Sequence, residues 1–128
     1  MPLRVLLAED EALVAMALAD WLETEGHLVV LAADGMEALS AFREDDDFDV
    51  LVTDLRMPRL GGEALIRALW AERPGLPVLV VTGSAPFGGA ETLRREVGHG
   101  GPLALLHKPL DFSSLTDALR CLTAPAPV

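Results

Sequence analysis

The stretch Leu3-Arg4-Val5-Leu6-Leu7-Ala8-Glu9-Asp10-Glu11 decides the fold. From Leu3 to Ala8 it is a short, nearly continuous apolar run, and it stops on Glu9, Asp10 and Glu11. A strand buried on both faces, with its end meeting water, reads in this way. The same pattern returns at Leu28 to Ala32, Val50 to Thr53, Pro77 to Thr82 and Leu103 to Leu106. Between these runs the apolar residues take the helical period. Leu13, Val14, Ala17, Leu18, Trp21 and Leu22 share one stripe, and Leu65, Ile66, Leu69 and Trp70 another. Met36, Ala38, Leu39 and Phe42 form a weaker stripe, and Leu115, Leu119 and Leu122 a last one behind the N-cap candidate Asp111. Strands alternating with helices specify an α/β domain: a doubly wound parallel sheet of five strands, in chain order βαβαβαβαβα. The fourth helix is expected to be short and mobile, because the breaker-rich stretches Ser84 to Gly89 and Gly98 to Pro102 leave only Ala90 to Val97 between them.

The 128 residues suit one domain, and 51% hydrophobic against 23% charged residues supply a packed interior. The domain is expected over residues 1–123, with 124–128 (Ala-Pro-Ala-Pro-Val) as a flexible tail. Lys+Arg number 10 against 20 Asp+Glu, a formal charge of -10, which repels a phosphate backbone and argues against nucleic acid as a partner. The single cysteine, Cys121, can form no internal disulfide and reads as a small apolar residue in a reducing compartment. The N-terminus lacks the pattern of a secretion signal, and no segment approaches the roughly 20 apolar residues that span a bilayer. A cytoplasmic protein with no membrane partner is expected. Asp45, Asp46 and Asp47 read as a solvated loop, and His27, His99 and His107 as surface or strand-end residues.

In open α/β sheets ligands bind beyond the carboxyl ends of the strands, so the residues at those ends carry the chemistry. They are Glu9 and Asp10 after the first run, Asp54 after the third, Thr82 closing the fourth and Lys108 after the fifth. Each alone has a structural explanation. The acids after the first run favour the start of the next helix, Asp54 suits a turn, and Thr82 is an ordinary strand-end hydroxyl. Together they form a set that these roles do not require. Three clustered carboxylates would take up protons without a compensating cation, and their oxygens suit Mg²⁺. A carboxylate beside that ion can attack phosphorus, while a hydroxyl and a lysine hold the remaining phosphoryl oxygens. Lys108 is the only lysine in the chain, a compact charge directly before Pro109.

Four segments carry a family resemblance: Leu6-Leu7-Ala8-Glu9-Asp10-Glu11, Asp54-Leu55-Arg56-Met57-Pro58-Arg59-Leu60-Gly61-Gly62, Val80-Val81-Thr82-Gly83 and Lys108-Pro109. Through them the chain resembles the receiver domain of bacterial two-component response regulators, over about Leu3 to Leu122. The resemblance implies a flavodoxin-like (βα)5 fold with strand order 2-1-3-4-5. It implies that Asp54 accepts a phosphoryl group from a phosphohistidine of a sensor histidine kinase or histidine phosphotransfer protein. Glu9, Asp10, Asp54 and the backbone carbonyl of Arg56 would coordinate Mg²⁺. Thr82 and the backbone N–H of Gly83 would contact phosphoryl oxygens, and Lys108 would pair with the same group. A cis Lys108–Pro109 peptide is implied, as is a tuning role for Arg56 and Ser84 in the loss of the phosphoryl group to water. The implied partners are the phosphohistidine donor and a downstream protein, with the chain a monomer or weak dimer.

The chain departs from the family pattern at three places. Glu9 stands where aspartate is usual, and Gly61 where an acidic or small polar residue is common. Leu105 occupies the switch position, normally Tyr or Phe, and the chain contains no tyrosine. The glycine-rich stretch Gly83 to Gly89 offers another element that can reorder when Thr82 and Gly83 are drawn to a phosphoryl group.

The expected function is a phosphorylatable signalling switch of a two-component system or phosphorelay, a stand-alone response regulator without an output domain. It would be no enzyme beyond its own phosphorylation and dephosphorylation. The near alternative is a receiver belonging to a larger regulator or hybrid kinase. A reading from another class is a Mg²⁺-dependent phosphohydrolase working through an aspartyl phosphate; that chemistry wants a second Asp two places after the nucleophile, where Arg56 stands. A degenerate receiver that only binds partners would not need the set Glu9, Asp10, Asp54, Thr82 and Lys108. Neither G-x-x-x-x-G-K nor G-x-G-x-x-G occurs, so nucleotide binding through a glycine loop has no support.

Overall fold

A computed structural model describes residues 2–45, 47–83 and 89–124 of the chain. The apolar runs form strands β1 (Arg4–Ala8), β2 (Leu28–Ala32), β3 (Val50–Thr53), β4 (Val78–Thr82) and β5 (Leu103–His107). Helices α1 (Ala12–Thr24), α2 (Gly35–Glu44), α3 (Gly62–Glu72), α4 (Gly89–Val97) and α5 (Phe112–Thr123) alternate with them. All the pairings are parallel and the strand order is β2-β1-β3-β4-β5. The expected doubly wound flavodoxin-like α/β fold is therefore the observed one.

Successive strand side chains point to opposite faces, and this period of two divides the core into two layers. Leu6, Ala8, Leu51, Val78 and Val80 face a layer shared with α2, α3 and α4 through Phe42, Ile66, Leu69 and Leu93. Val5, Leu7, Val50, Val52, Leu79 and Val81 face the opposite layer, shared with Leu18 and Leu22 of α1 and Leu115 and Leu119 of α5. The chain winds α1 and α5 onto one side and the other three helices onto the other. Burial of both faces accounts for the continuous apolar runs of β1, β3 and β4.

The edge strands differ. In β2, Leu28 is 63% and Leu31 49% exposed, and β5 is only half-buried along Leu103 to Leu106. An edge strand has one neighbour and incomplete helical cover, so its apolar run does not imply burial. A second correction concerns α1. Its buried stripe is Ala15, Leu18, Ala19 and Leu22, an i, i+3, i+4, i+7 set, whereas Leu13 is 83% exposed. The helix carries apolar residues on several sides, so the larger Leu13 misdirects a reading by size, and two alanines allow close contact instead.

Asp111 caps α5 as expected, accepting from the Ser113 N–H at 3.1 Å. Asp34 caps α2, accepting from the Glu37 N–H at 2.9 Å, while the Glu37 carboxylate accepts from the Ala33 N–H at 3.2 Å. These reciprocal bonds hold the first turn of α2 in the manner of a capping box. Helix α4 spans 9 residues, the short element expected. No described helix is long and apolar enough to cross a membrane. The expectations for Asp46, for Ser84 to Gly88 and for the tail 125–128 lie outside the described residues.

Candidate functional site

The hydrogen-bond ladder runs one residue beyond the ends of three strands. The Glu9 N–H donates to the Ala32 carbonyl at 3.1 Å, Asp54 N–H to the Ala8 carbonyl at 3.1 Å, and Lys108 N–H to the Thr82 carbonyl at 3.0 Å. The sheet itself thus fixes the backbones from which Glu9, Asp54 and Lys108 project. Their side chains converge. Lys108 Nζ donates to Glu9 Oε1 at 2.6 Å and to Asp54 Oδ2 at 2.9 Å, and lies 3.6 Å from Glu11 Oε1. The Glu9 and Asp54 side chains are only 2% and 7% exposed, and that of Lys108 16%.

Asp54 is held by four donors. Its Oδ1 accepts from the Leu55 N–H at 2.6 Å and, more weakly, from the Arg56 N–H at 3.4 Å. Lys108 and the Thr82 hydroxyl supply the others. Burial alone would raise the Asp54 carboxyl, but the bonds from Lys108, Thr82 and Leu55 outweigh it and hold the group below its ordinary 3.8. Burial does prevail at Glu9, whose carboxyl is pushed above its ordinary 4.5 despite Lys108 and the Glu11 N–H, with the charge of Asp54 adding to the rise. Burial would likewise lower Lys108, yet the bonds to Glu9 and Asp54 carry its ammonium well above the usual lysine range. Near neutral pH, Asp54 is an ionised carboxylate facing a protonated lysine.

Glu9, Glu11 and Asp54 each offer an oxygen, and these oxygens lie within 4.8 Å of one another. Hard oxygen donors at this spacing, some with access to water, fit a Mg²⁺ ion. Asp10 is exposed and outside this group among the described residues. Sequence reasoning treated Glu11 as a helix-start acid and passed over it. Its place comes from the chain beyond β1, where the Glu11 N–H donates back to Glu9 Oε2 at 3.2 Å and keeps the two carboxylates close.

The remaining expected positions are placed as follows. Thr82 is buried at the end of β4 and bonded to Asp54, Gly83 is exposed beside it, and Arg56 is exposed in the loop after Asp54. The Lys108–Pro109 peptide is cis. Leu105 is half-buried and packs against the layer that contains Leu93 and Val97 of α4. Gly62, at the start of α3, lies so close to the acceptor loop that a Cβ there would overlap the Asp54 carbonyl oxygen and stand 2.8 Å from the Leu55 Cα. Its N–H donates to the Leu55 carbonyl at 2.9 Å. An apolar groove of about 520 Å³, lined by Leu13, Ala17, Pro109, Leu110 and Phe112, opens beside Lys108.

Comparison with known proteins gives the same picture. Residues 5–120 match the family model for the response regulator receiver domain. The response regulator receiver protein Anae109_2439 of Anaeromyxobacter sp. (strain Fw109-5) is 37% identical over 114 residues, covering 89% of this chain and 46% of that protein. The chain spans about half the length of the curated relatives it matches first. Among solved structures, a response regulator receiver domain from Clostridium thermocellum superposes with a TM-score of 0.84 at 27% identity, covering 94% of both chains. The receiver domain of the sensor histidine kinase PA1611 from Pseudomonas aeruginosa PAO1, which has a magnesium ion coordinated in its active site cleft, gives 0.81 at 26% identity, covering 98% of this chain and 100% of that one. By fold, by the residues at its strand ends and by sequence, the chain belongs to the response regulator receiver domain family.

Proposed function

We propose that this chain is a phosphorylatable two-component switch in which Asp54 takes a phosphoryl group from the phosphohistidine of a sensor histidine kinase or histidine phosphotransfer protein. The observation that carries this reading is the state of Asp54: buried, ionised, and hydrogen-bonded by Lys108, Thr82 and the Leu55 N–H. An Asp54 oxygen forms a bond to phosphorus as the phosphorus–nitrogen bond breaks, and the imidazole nitrogen keeps the electron pair and takes up a proton. Lys108 then follows the negative charge from the Asp54 carboxylate to the phosphoryl oxygens, with the Thr82 hydroxyl and the Gly83 N–H as further donors. In the return step, water attacks phosphorus and releases inorganic phosphate and the free carboxylate.

Glu9, Asp54 and the Arg56 carbonyl are the proposed Mg²⁺ ligands. Asp10 is kept from the family resemblance and Glu11 is added from its place beside Glu9 and Asp54. The ion supplies neutralisation of the charge that gathers on the transferring group. Arg56 and Ser84 tune the lifetime of the phosphorylated state, and the switch at Leu105 works without an aromatic ring. The chain acts on a downstream protein in the cytoplasm, with no nucleic acid or membrane partner, as a monomer or weak dimer. Against the stand-alone reading, the length of the curated relatives favours a receiver that works within a longer regulator; immunoblotting the endogenous protein for its size separates the two.

Intact-protein mass after incubation with acetyl phosphate tests the proposal. A single phosphoryl adduct that requires Mg²⁺ and is missing from Asp54→Asn is the expected result. An adduct of equal yield on Asp54→Asn would make Asp54 the wrong residue.

A further inference from the structure

Beyond Asp54, the acceptor loop contains a strained turn. Arg59 has φ of 69°, the left-handed region that side-chain-bearing residues seldom occupy. The Leu60 N–H donates to the Pro58 carbonyl at 2.8 Å, so Arg59 is the middle residue of a tight three-residue turn of the γ type. Such a conformation persists only where the surroundings determine it, and an observed outlier of this kind is a reason to look for function.

The surroundings come from the start of α2. Asp34 is buried and divides its carboxylate between two tasks: Oδ1 caps α2, and Oδ2 lies 3.4 Å from Arg59 Nε. The next residue, Gly35, approaches the same loop so closely that a Cβ would overlap the Leu60 carbonyl oxygen and stand 2.8 Å from the Leu60 Cβ. The turn is thus gripped by one ion pair and one backbone contact, both from Asp34-Gly35. At the other end of the loop stand the Asp54 carboxylate and the Arg56 carbonyl, the proposed ligands of the cation.

We infer that Asp34 and Arg59 are positioning residues: their ion pair holds the strained turn, and through it fixes where the Asp54 carboxylate and the Arg56 carbonyl stand to receive a divalent cation. This inference rests on the proposed phosphoacceptor site. It assigns a role in that site to two residues that touch neither the cation nor the phosphoryl group. The start of α2 becomes part of the machinery.

The test is Mg²⁺ binding by calorimetry to the full metal-free chain, together with amide exchange at Leu60. Asp34→Asn keeps a capping oxygen but loses the charge. Arg59→Asn tolerates the left-handed backbone but loses the partner. Each is expected to weaken Mg²⁺ binding about two- to fivefold, the range of an exposed ion pair, with faster exchange of the Leu60 N–H. The double variant is expected to be no weaker than the weaker single. The sign at Arg59 is decisive, because removing a cation near an acidic site would by charge alone tighten Mg²⁺ binding. Arg59→Lys, which keeps the charge, is expected to restore most of the affinity. Unchanged or tighter Mg²⁺ binding in Arg59→Asn overturns the inference, whatever happens to the exchange rate. A wild-type chain that binds no Mg²⁺ and gains no phosphoryl group from acetyl phosphate would instead overturn the function on which the inference rests.

Discussion

Replacing Lys108 by methionine removes the cation from between two buried carboxylates while keeping most of the side-chain volume. Its Nζ lies 2.6 Å from Glu9 Oε1 and 2.9 Å from Asp54 Oδ2, and those side chains are 2% and 7% exposed. Losing one member of a buried ion pair costs about 3–5 kcal/mol when the partner charge has no escape. Here an escape exists, since Glu9 already sits above its ordinary 4.5 and can take a proton. Protonating Glu9 costs 1.36 kcal/mol for each unit by which the pH exceeds its ordinary 4.5, so at pH 7 it limits the penalty to about 3.4 kcal/mol. The sign follows from linkage. An acid raised in the folded state makes folding less favourable as the pH climbs from its unfolded value through its folded one. The penalty for Lys108→Met is therefore expected to be about 2–3 kcal/mol at pH 7 and less than about 1 kcal/mol at pH 5. Urea denaturation in chelator at the two pH values measures it. At pH 7, Mg²⁺ should recover more stability in the variant than in wild type, because Lys108 no longer occupies the same oxygens. A penalty below about 0.5 kcal/mol at pH 7, or one that does not shrink at pH 5, would refute the reasoning.

Two further predictions follow from the site geometry. Gly62→Ala must displace the Asp54 or α3 backbone; it should cost about 1–3 kcal/mol in urea denaturation and slow phosphorylation by acetyl phosphate up to about 100-fold, and a variant within experimental error of wild type in both would contradict the close approach. The Asp54 carboxyl is held below its ordinary 3.8, so the stability it contributes is complete above that pH and disappears as the pH falls through the lower folded value. In a Glu9→Gln background, which removes the neighbouring acid whose titration the Asp54 charge shifts, the stability difference made by Asp54→Asn should accordingly be flat from pH 5 to 7 and change only below about pH 4; a difference that already drifts between pH 5 and 7 there would mean that Asp54 titrates higher.

The fold was legible where burial is two-sided. In β1, β3 and β4 the apolar runs are continuous because helices cover both faces, and their polar ends at Glu9, Asp54 and Thr82 mark the edge of the sheet where water begins. At the edges the same kind of run misleads, since Leu28 and Leu31 have the composition of a buried strand without its cover. In α1 the large Leu13 drew the stripe away from Ala15 and Ala19, whose value lies in permitting close contact, a property of the neighbours and not of the residue. Glu9, Asp54, Thr82 and Lys108 were legible as strand-end residues, and the structure brings all four together. Glu11 was not legible, because its place beside Glu9 depends on how the chain bends after β1 and on the Glu11 N–H bonding back to Glu9 Oε2. The turn at Arg59 left no local trace: no glycine or asparagine marks it, and its support comes from Asp34 and Gly35, 24 to 25 positions earlier in the chain.

The central claim is that Asp54 carries the phosphoryl group, and reductive trapping tests it at the level of the atom. Wild-type protein treated with acetyl phosphate and Mg²⁺ is reduced with borohydride, which converts an aspartyl phosphate to homoserine, and is then mapped by peptide mass spectrometry. The account predicts homoserine at position 54 only when Mg²⁺ is present. Homoserine at Asp10, Asp34 or another aspartate, with position 54 unchanged, would contradict it.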